Sequence, residues 1–126
     1  MALTLKLLEG HFAVCRLPAG SALPHWFVPG ALSHVSWTDE ELSIACDEAG
    51  VPIEAQCERG WRSLMLQGPF AFDLTGILAQ VLLPLAEAKV GIFAVSTFDT
   101  DYVMVKQAQL ATSLEALRAA GHTIRE

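Results

Sequence analysis

The sequence predicts an α+β fold in which helices cover one face of antiparallel sheets, and three observations carry that prediction. Short strand-like runs bounded by turn residues recur along all 126 residues. Two longer segments, near residues 74–88 and 110–121, instead carry apolar residues at helical spacing. The order of elements is similar in the two halves, β-α-β-β in the first and the same followed by α-β in the second.

In the first half, residues 12–17 are strand-like and are stopped by Pro18, Ala19 and Gly20. The stretch around Pro24, His25, Trp26 and Phe27 has room for a turn or two of helix. Residues 32–37 and 41–46 read as a hairpin about a tight turn at Thr38, Asp39 and Glu40. In its second strand Leu42, Ile44 and Cys46 alternate with small or polar residues, the period of a sheet with one buried face. In the second half, residues 61–67 form a strand that Gly68 and Pro69 end. Asp73 is the expected N-cap of a helix over residues 74–88, which Pro84 should bend or divide. Residues 92–96 and 102–106 make a second hairpin. Leu110, Leu114 and Leu117 mark a last helix closed by Gly121, and residues 122–124 can add an edge strand. The plan is ferredoxin-like (βαββαβ), present twice: a degenerate N-terminal subdomain over residues 1–60 with a shortened helix, and a fuller one over 61–126.

The chain is long enough for one domain or for two very small subdomains sharing a sheet. Its apolar fraction is 52% and its mean hydropathy +0.40, enough for a core with apolar surface to spare, so self-association is expected. A net charge of −6 and the lack of any Lys/Arg cluster argue against nucleic-acid and anionic-membrane partners. Three cysteines without metal-type or CxxC spacing, and no apparent signal segment, point to reduced thiols in a cytoplasm. Cys15 and Cys46 fall in strand-like runs and read as small buried hydrophobes. His11, His25, His34 and His122 are scattered over separate elements, and no GxSxG, HExxH or P-loop occurs. No metal, cofactor or catalytic activity is expected.

Two places carry the chemistry. The turn over residues 97–101 joins two apolar strands, yet lacks Gly, Asn and Pro, and holds two carboxylates and two threonines. Its side chains are therefore candidates for another purpose. About twenty residues upstream, the run from Asp73 to Ile77, with Gly76 in it, opens a helix whose first N–H groups have no intrahelical acceptor and favour an anion by ~0.3–2 kcal/mol. Gly76 serves either close approach of a ligand or close helix–sheet packing. An acidic turn beside a helix start outlines a zwitterion site. Asp99 and Asp101 also have the spacing of a DxD metal pair, but no phosphate-cradling loop accompanies them.

The run Val95-Ser96-Thr97-Phe98-Asp99-Thr100-Asp101-Tyr102-Val103-Met104-Val105, with Gly76 and Ile77 upstream, resembles small tandem ACT-domain proteins. These are related to CASTOR-type amino-acid sensors and to the regulatory regions of aspartate kinases. The resemblance implies a non-catalytic regulatory protein and a pocket formed by Thr75, Gly76 and Ile77 facing Thr97, Phe98 and Asp101. Gly76 and Ile77 would hold a carboxylate, Asp101 an amine or cationic tail, and Phe98 a wall. Leu74 and Thr75 stand where an arginine sensor places an acidic and a small residue, so arginine specificity is not implied; Ser36 is a guess for the first half's contribution. The expected partners are an amino acid and a second copy in a homodimer. The alternative is a ligand-free regulatory or structural subunit acting on an enzyme through its sheet edge or apolar face. An enzyme using Asp99 and Asp101 ranks last.

Overall fold

The computed structural model describes residues 1–126. Its elements are β1 (Thr4–Leu7), β2 (Phe12–Pro18), β3 (His34–Trp37), β4 (Glu41–Asp47), β5 (Cys57–Leu66), α1 (Ile77–Glu87), β6 (Ile92–Ser96), β7 (Asp101–Lys106), α2 (Leu110–Ala119) and β8 (Thr123–Arg125). They form two compact units, one of residues 10–61 and one of residues 1–9 with 62–126. The fold is α+β, and both expected hairpins, β3–β4 and β6–β7, are present in register.

In the unit of residues 10–61 the antiparallel strands run in the order β3, β4, β2, β5. The period-2 alternation puts Leu42, Ile44 and Cys46 on one face with Ala13 and Cys15, and Trp26 and Phe27 pack over them. In place of the expected shortened helix stands a single reverse turn, closed by Phe27 N–H donating to Pro24 O at 3.1 Å, because the segment between Pro24 and Pro29 is too short to propagate a helix. The β2–β5 register slips between Phe12 and Val14, where Gly60 takes φ 77°, as a bulge requires. Glu48 Oε1 accepts the Gly60 N–H at 2.6 Å there.

In the other unit the strands run in the order β6, β7, β5, β1, β8, with α1 and α2 on one face. Leu5, Leu64, Leu66, Val81, Leu85, Val103, Val105 and Leu117 are fully buried there, each stabilising by about 1.5–3 kcal/mol before entropy is counted. The N-terminal residues, grouped with the first half on sequence order, pair here instead: β1 is antiparallel to β5 and parallel to β8. Burial explains the difference, because Leu3, Leu5 and Leu7 alternate with Thr4 and Lys6 and complete this core.

Helix α1 departs from expectation at its cap, and Pro84 does not divide it. It begins at Ile77 rather than near 74, and its N-cap is Gly76, not Asp73; no side chain caps it. Pro84 lies within a continuous helix. Lacking an N–H, Pro84 leaves the Gln80 carbonyl without its helical donor. The buried His122 supplies one: its Nε2 lies 2.9 Å from Gln80 O, while its Nδ1 accepts the Leu3 N–H at 3.1 Å. These bonds fix the imidazole as the Nε2–H tautomer and give it a structural role. Both helices end alike. Val90 N–H reaches Leu85 O past Lys89 (φ 61°), and His122 N–H reaches Leu117 O past Gly121 (φ 97°). No helix is long and apolar enough to cross a membrane.

Candidate functional site

The turn between β6 and β7 first closes on itself. Thr97 N–H and Thr97 Oγ1 both donate to Thr100 O, at 2.8 and 3.1 Å, and Thr97 Oγ1 accepts the Thr100 N–H at 3.4 Å. Thr100 Oγ1 donates to Leu66 O, and Asp99 O accepts the Phe70 N–H at 2.9 Å. Both threonine hydroxyls therefore build the turn and dock it. The expectation that they are kept for another purpose is corrected: hydroxyl bonds to backbone do here what Gly or Asn does in shorter turns. Gly68 lets the two loops meet, since a Cβ there would lie 3.1 Å from Asp99 O.

Docking the turn leaves a cavity of about 190 Å³ between it and the start of α1. Ile77 lines one side, and Ser96, Thr97, Phe98 and Asp101 line the other. The two places singled out in the sequence thus share one cavity, through Ile77 and Asp101. Thr75 and Gly76 are exposed and lie between Leu74 and Ile77, both of which line it. A Cβ on Gly76 would meet nothing within 4 Å. Tight helix–sheet packing is therefore not the reason for this glycine; the left-handed backbone at φ 78° is.

Asp101 opens β7 opposite Ser96. It is half-buried at the cavity, and Ser96 Oγ donates to its Oδ1 at 2.5 Å. That bond orients the carboxylate. Ile77, the first residue of α1, lines the same cavity, and no side chain caps that helix start, which carries the positive end of the helix dipole. Phe70, Ala71, Phe72 and Leu74 add an apolar wall, and Asp99 and Thr100 complete the lining. Phe72 and Phe98 are 75% and 80% exposed and pack edge to face, with centroids 4.9 Å apart at 89°. Sequence reasoning missed Phe70, Phe72 and Ser96; two aromatics directly after the Gly68-Pro69 break were the available signal. Elsewhere, His34 Nε2 and Ser36 Oγ hydrogen-bond at 3.0 Å on β3. No group of three or more His, Cys, Asp or Glu is placed to hold a metal.

Comparison with known proteins gives the site a context. Residues 56–119 match the family model of the ACT domain, and residues 10–54 match a second model, that of an N-terminal domain. A protein of Agobacterium tumefaciens known by crystal structure is 40% identical, with a TM-score of 0.92 over 98% of this chain and 92% of that one. The ligand-free regulatory subunit of aspartate kinase from Thermus thermophilus has the same fold at 9% identity, with a TM-score of 0.66 over 94% of this chain and 99% of that one. The human cytosolic arginine sensor for mTORC1 subunit 1 is 36% identical over 59 residues, which are 46% of this chain. The match spans only 18% of that sensor's length.

Proposed function

The chain belongs to the ACT-domain family, and on that premise we propose that it is a non-catalytic regulatory protein whose cavity between α1 and the β6–β7 turn binds a free amino acid. The observation that supports this reading is that Asp101 and Ile77, the first residue of the uncapped α1, line one cavity. A zwitterion has the complementary charges. Its carboxylate meets the N–H groups beyond Gly76 and Ile77, and its ammonium or cationic tail meets Asp101 in a charge-assisted hydrogen bond. Thr97 and Phe98 wall the cavity, and Thr75, which does not line it, stands next in the chain to Leu74, which does. At about 190 Å³ the cavity falls below the ~300–1,000 Å³ of drug-sized sites and suits a metabolite.

Regulation then follows from differential affinity: the ligand favours whichever arrangement of paired ACT units binds it better. Pairing is proposed to be a homodimer. β6 pairs in the sheet with β7, and exposed Ile92 lies on it; a strand at the edge of a sheet is a template for a second strand. Sedimentation of the purified protein, with and without ligand, checks it.

The test of binding is a thermal-shift screen of the free amino acids. A ligand at about 100 times its Kd adds ~2.7 kcal/mol, and Asp101→Asn and Gly76→Asn each cut that shift to about half or less while the proteins remain folded. Asparagine is chosen because it tolerates the left-handed backbone that Val would strain. A shift that survives both substitutions removes the site assignment and leaves the function class standing. A second reading, a ligand-free subunit docking on an enzyme, is favoured by the exposed Phe72, Leu74 and Phe98. It gains if no amino acid moves the unfolding temperature.

A further inference from the structure

All three cysteines of the chain converge on one sheet face in the unit of residues 10–61. Cys15 on β2 is the direct cross-strand partner of Cys57 on β5. The neighbouring pair, Arg16 and Gln56, is joined by Arg16 N–H donating to Gln56 O at 3.0 Å. In an antiparallel ladder hydrogen-bonded and non-hydrogen-bonded pairs alternate, so Cys15 and Cys57 form a non-hydrogen-bonded pair. Such pairs bring Cα atoms to ~4.5 Å and side chains to their closest approach, within the range a disulfide spans. Cys46 lies diagonally across β4 from Cys15, since Ala13 pairs with Cys46 and Cys15 with Ile44. Cys15 and Cys46 are buried, and Cys57 is partly open to solvent.

We propose that Cys15 and Cys57 form a reversible redox staple, closed by thiol–disulfide exchange with a small-molecule disulfide. The Cys57 thiolate attacks one sulfur of the small disulfide, making a mixed disulfide and expelling one small thiolate. Cys15 then attacks the Cys57 sulfur, forming the Cys15–Cys57 bond and expelling the second. Two protein thiols are oxidised by two electrons, the small disulfide is reduced to two thiols, and the two protein protons end on them. The closed bond ties β2 to β5 and constrains the unfolded chain between residues 15 and 57, so it raises the unfolding temperature. A dithiol reductant reverses it.

The surroundings set its rate. Burial pushes the Cys57 thiol up, and the hydrogen bond with Cys46, followed by burial, pushes Cys15 up. A raised thiol holds less thiolate at neutral pH, so the staple closes slowly there and faster as pH rises.

The test incubates the full chain with oxidised glutathione at alkaline pH. The expected result is a fall from three free thiols to one, loss of two hydrogens by mass, and a non-reduced digest joining the Cys15 and Cys57 peptides. Cys46→Ser still forms the bond, and Cys57→Ser does not. The oxidised protein unfolds at a higher temperature than the reduced one, and dithiothreitol restores the lower value. A glutathione adduct that persists on Cys57, a Cys15–Cys46 linkage, or three free thiols after treatment would each overturn the proposal. Cys46→Ser and Cys57→Ser are read alongside circular dichroism, so that misfolding is not mistaken for loss of the bond.

Discussion

The two hairpins of this molecule share a turn and differ at its base. In β3–β4, Thr38 N–H donates to Glu41 O at 2.9 Å, and in β6–β7 Thr97 N–H donates to Thr100 O at 2.8 Å. Each threonine hydroxyl bonds the same two backbone groups, three residues on. The strand pair next to each turn is where they part. It is Trp37 and Leu42 in the first hairpin, and Ser96 and Asp101 in the second. Leu42 is fully buried in a core, and the Trp37 indole N–H is tied to Ser21 O. Asp101 borders a cavity, oriented by Ser96. The same turn stands beside a fully buried leucine in one unit and beside a half-buried carboxylate at a cavity in the other. What separates scaffold from candidate site is thus one cross-strand pair.

Substitutions can break this contrast, and the largest effect is expected on the leucine side. Leu42→Ala should cost about 2–5 kcal/mol in urea unfolding, since it empties a fully enclosed position. Ligand-induced shifts should survive it once the lower baseline is allowed for. On the carboxylate side the order reverses. Asp101→Asn should change unfolding free energy by less than about 1 kcal/mol, yet weaken amino-acid affinity by about 1.5–3 kcal/mol, roughly 10- to 150-fold, by calorimetry. If Asp101→Asn costs as much stability as Leu42→Ala, the carboxylate is a structural group and the contrast fails.

Smaller effects sharpen the shared part. Thr38→Ala and Thr97→Ala remove matching hydroxyl bonds and should each cost about 0.5–1.5 kcal/mol, with Thr97→Ala also loosening the cavity wall. Amide exchange in the two turns compares them directly. The helix ends offer a similar pair. Lys89 sits in the left-handed cap that glycine fills at Gly121, so Lys89→Gly should stabilise by up to about 1 kcal/mol in thermal unfolding. Gly121→Ala should destabilise by a similar amount or more.

Much of this architecture was legible in the chain. The alternation of Leu42, Ile44 and Cys46 marked β4, and Gly121 marked the end of α2. The turn over residues 97–101 was recognised as a place with chemistry because its residues are unusual for a reversal. That the threonine hydroxyls close the turn was not legible, because those bonds depend on a backbone conformation that residue type does not specify. Asp73 looked like a cap by residue type, while the backbone at Gly76 starts the helix three residues later than expected. Phe70 and Phe72 were passed over because two phenylalanines in a loop have no periodicity to report which way they face.

The sequence by itself determined most of the element types and the two hairpins, because those depend on local pattern and turn chemistry. Only the tertiary structure decided that β1 joins β5 and β8, that His122 takes the carbonyl Pro84 leaves open, that three thiols share a sheet face, and that Ile77 and Asp101 border one cavity. Each of those is a meeting of residues far apart in the chain. Packing and strand register select such meetings, and no local pattern encodes them.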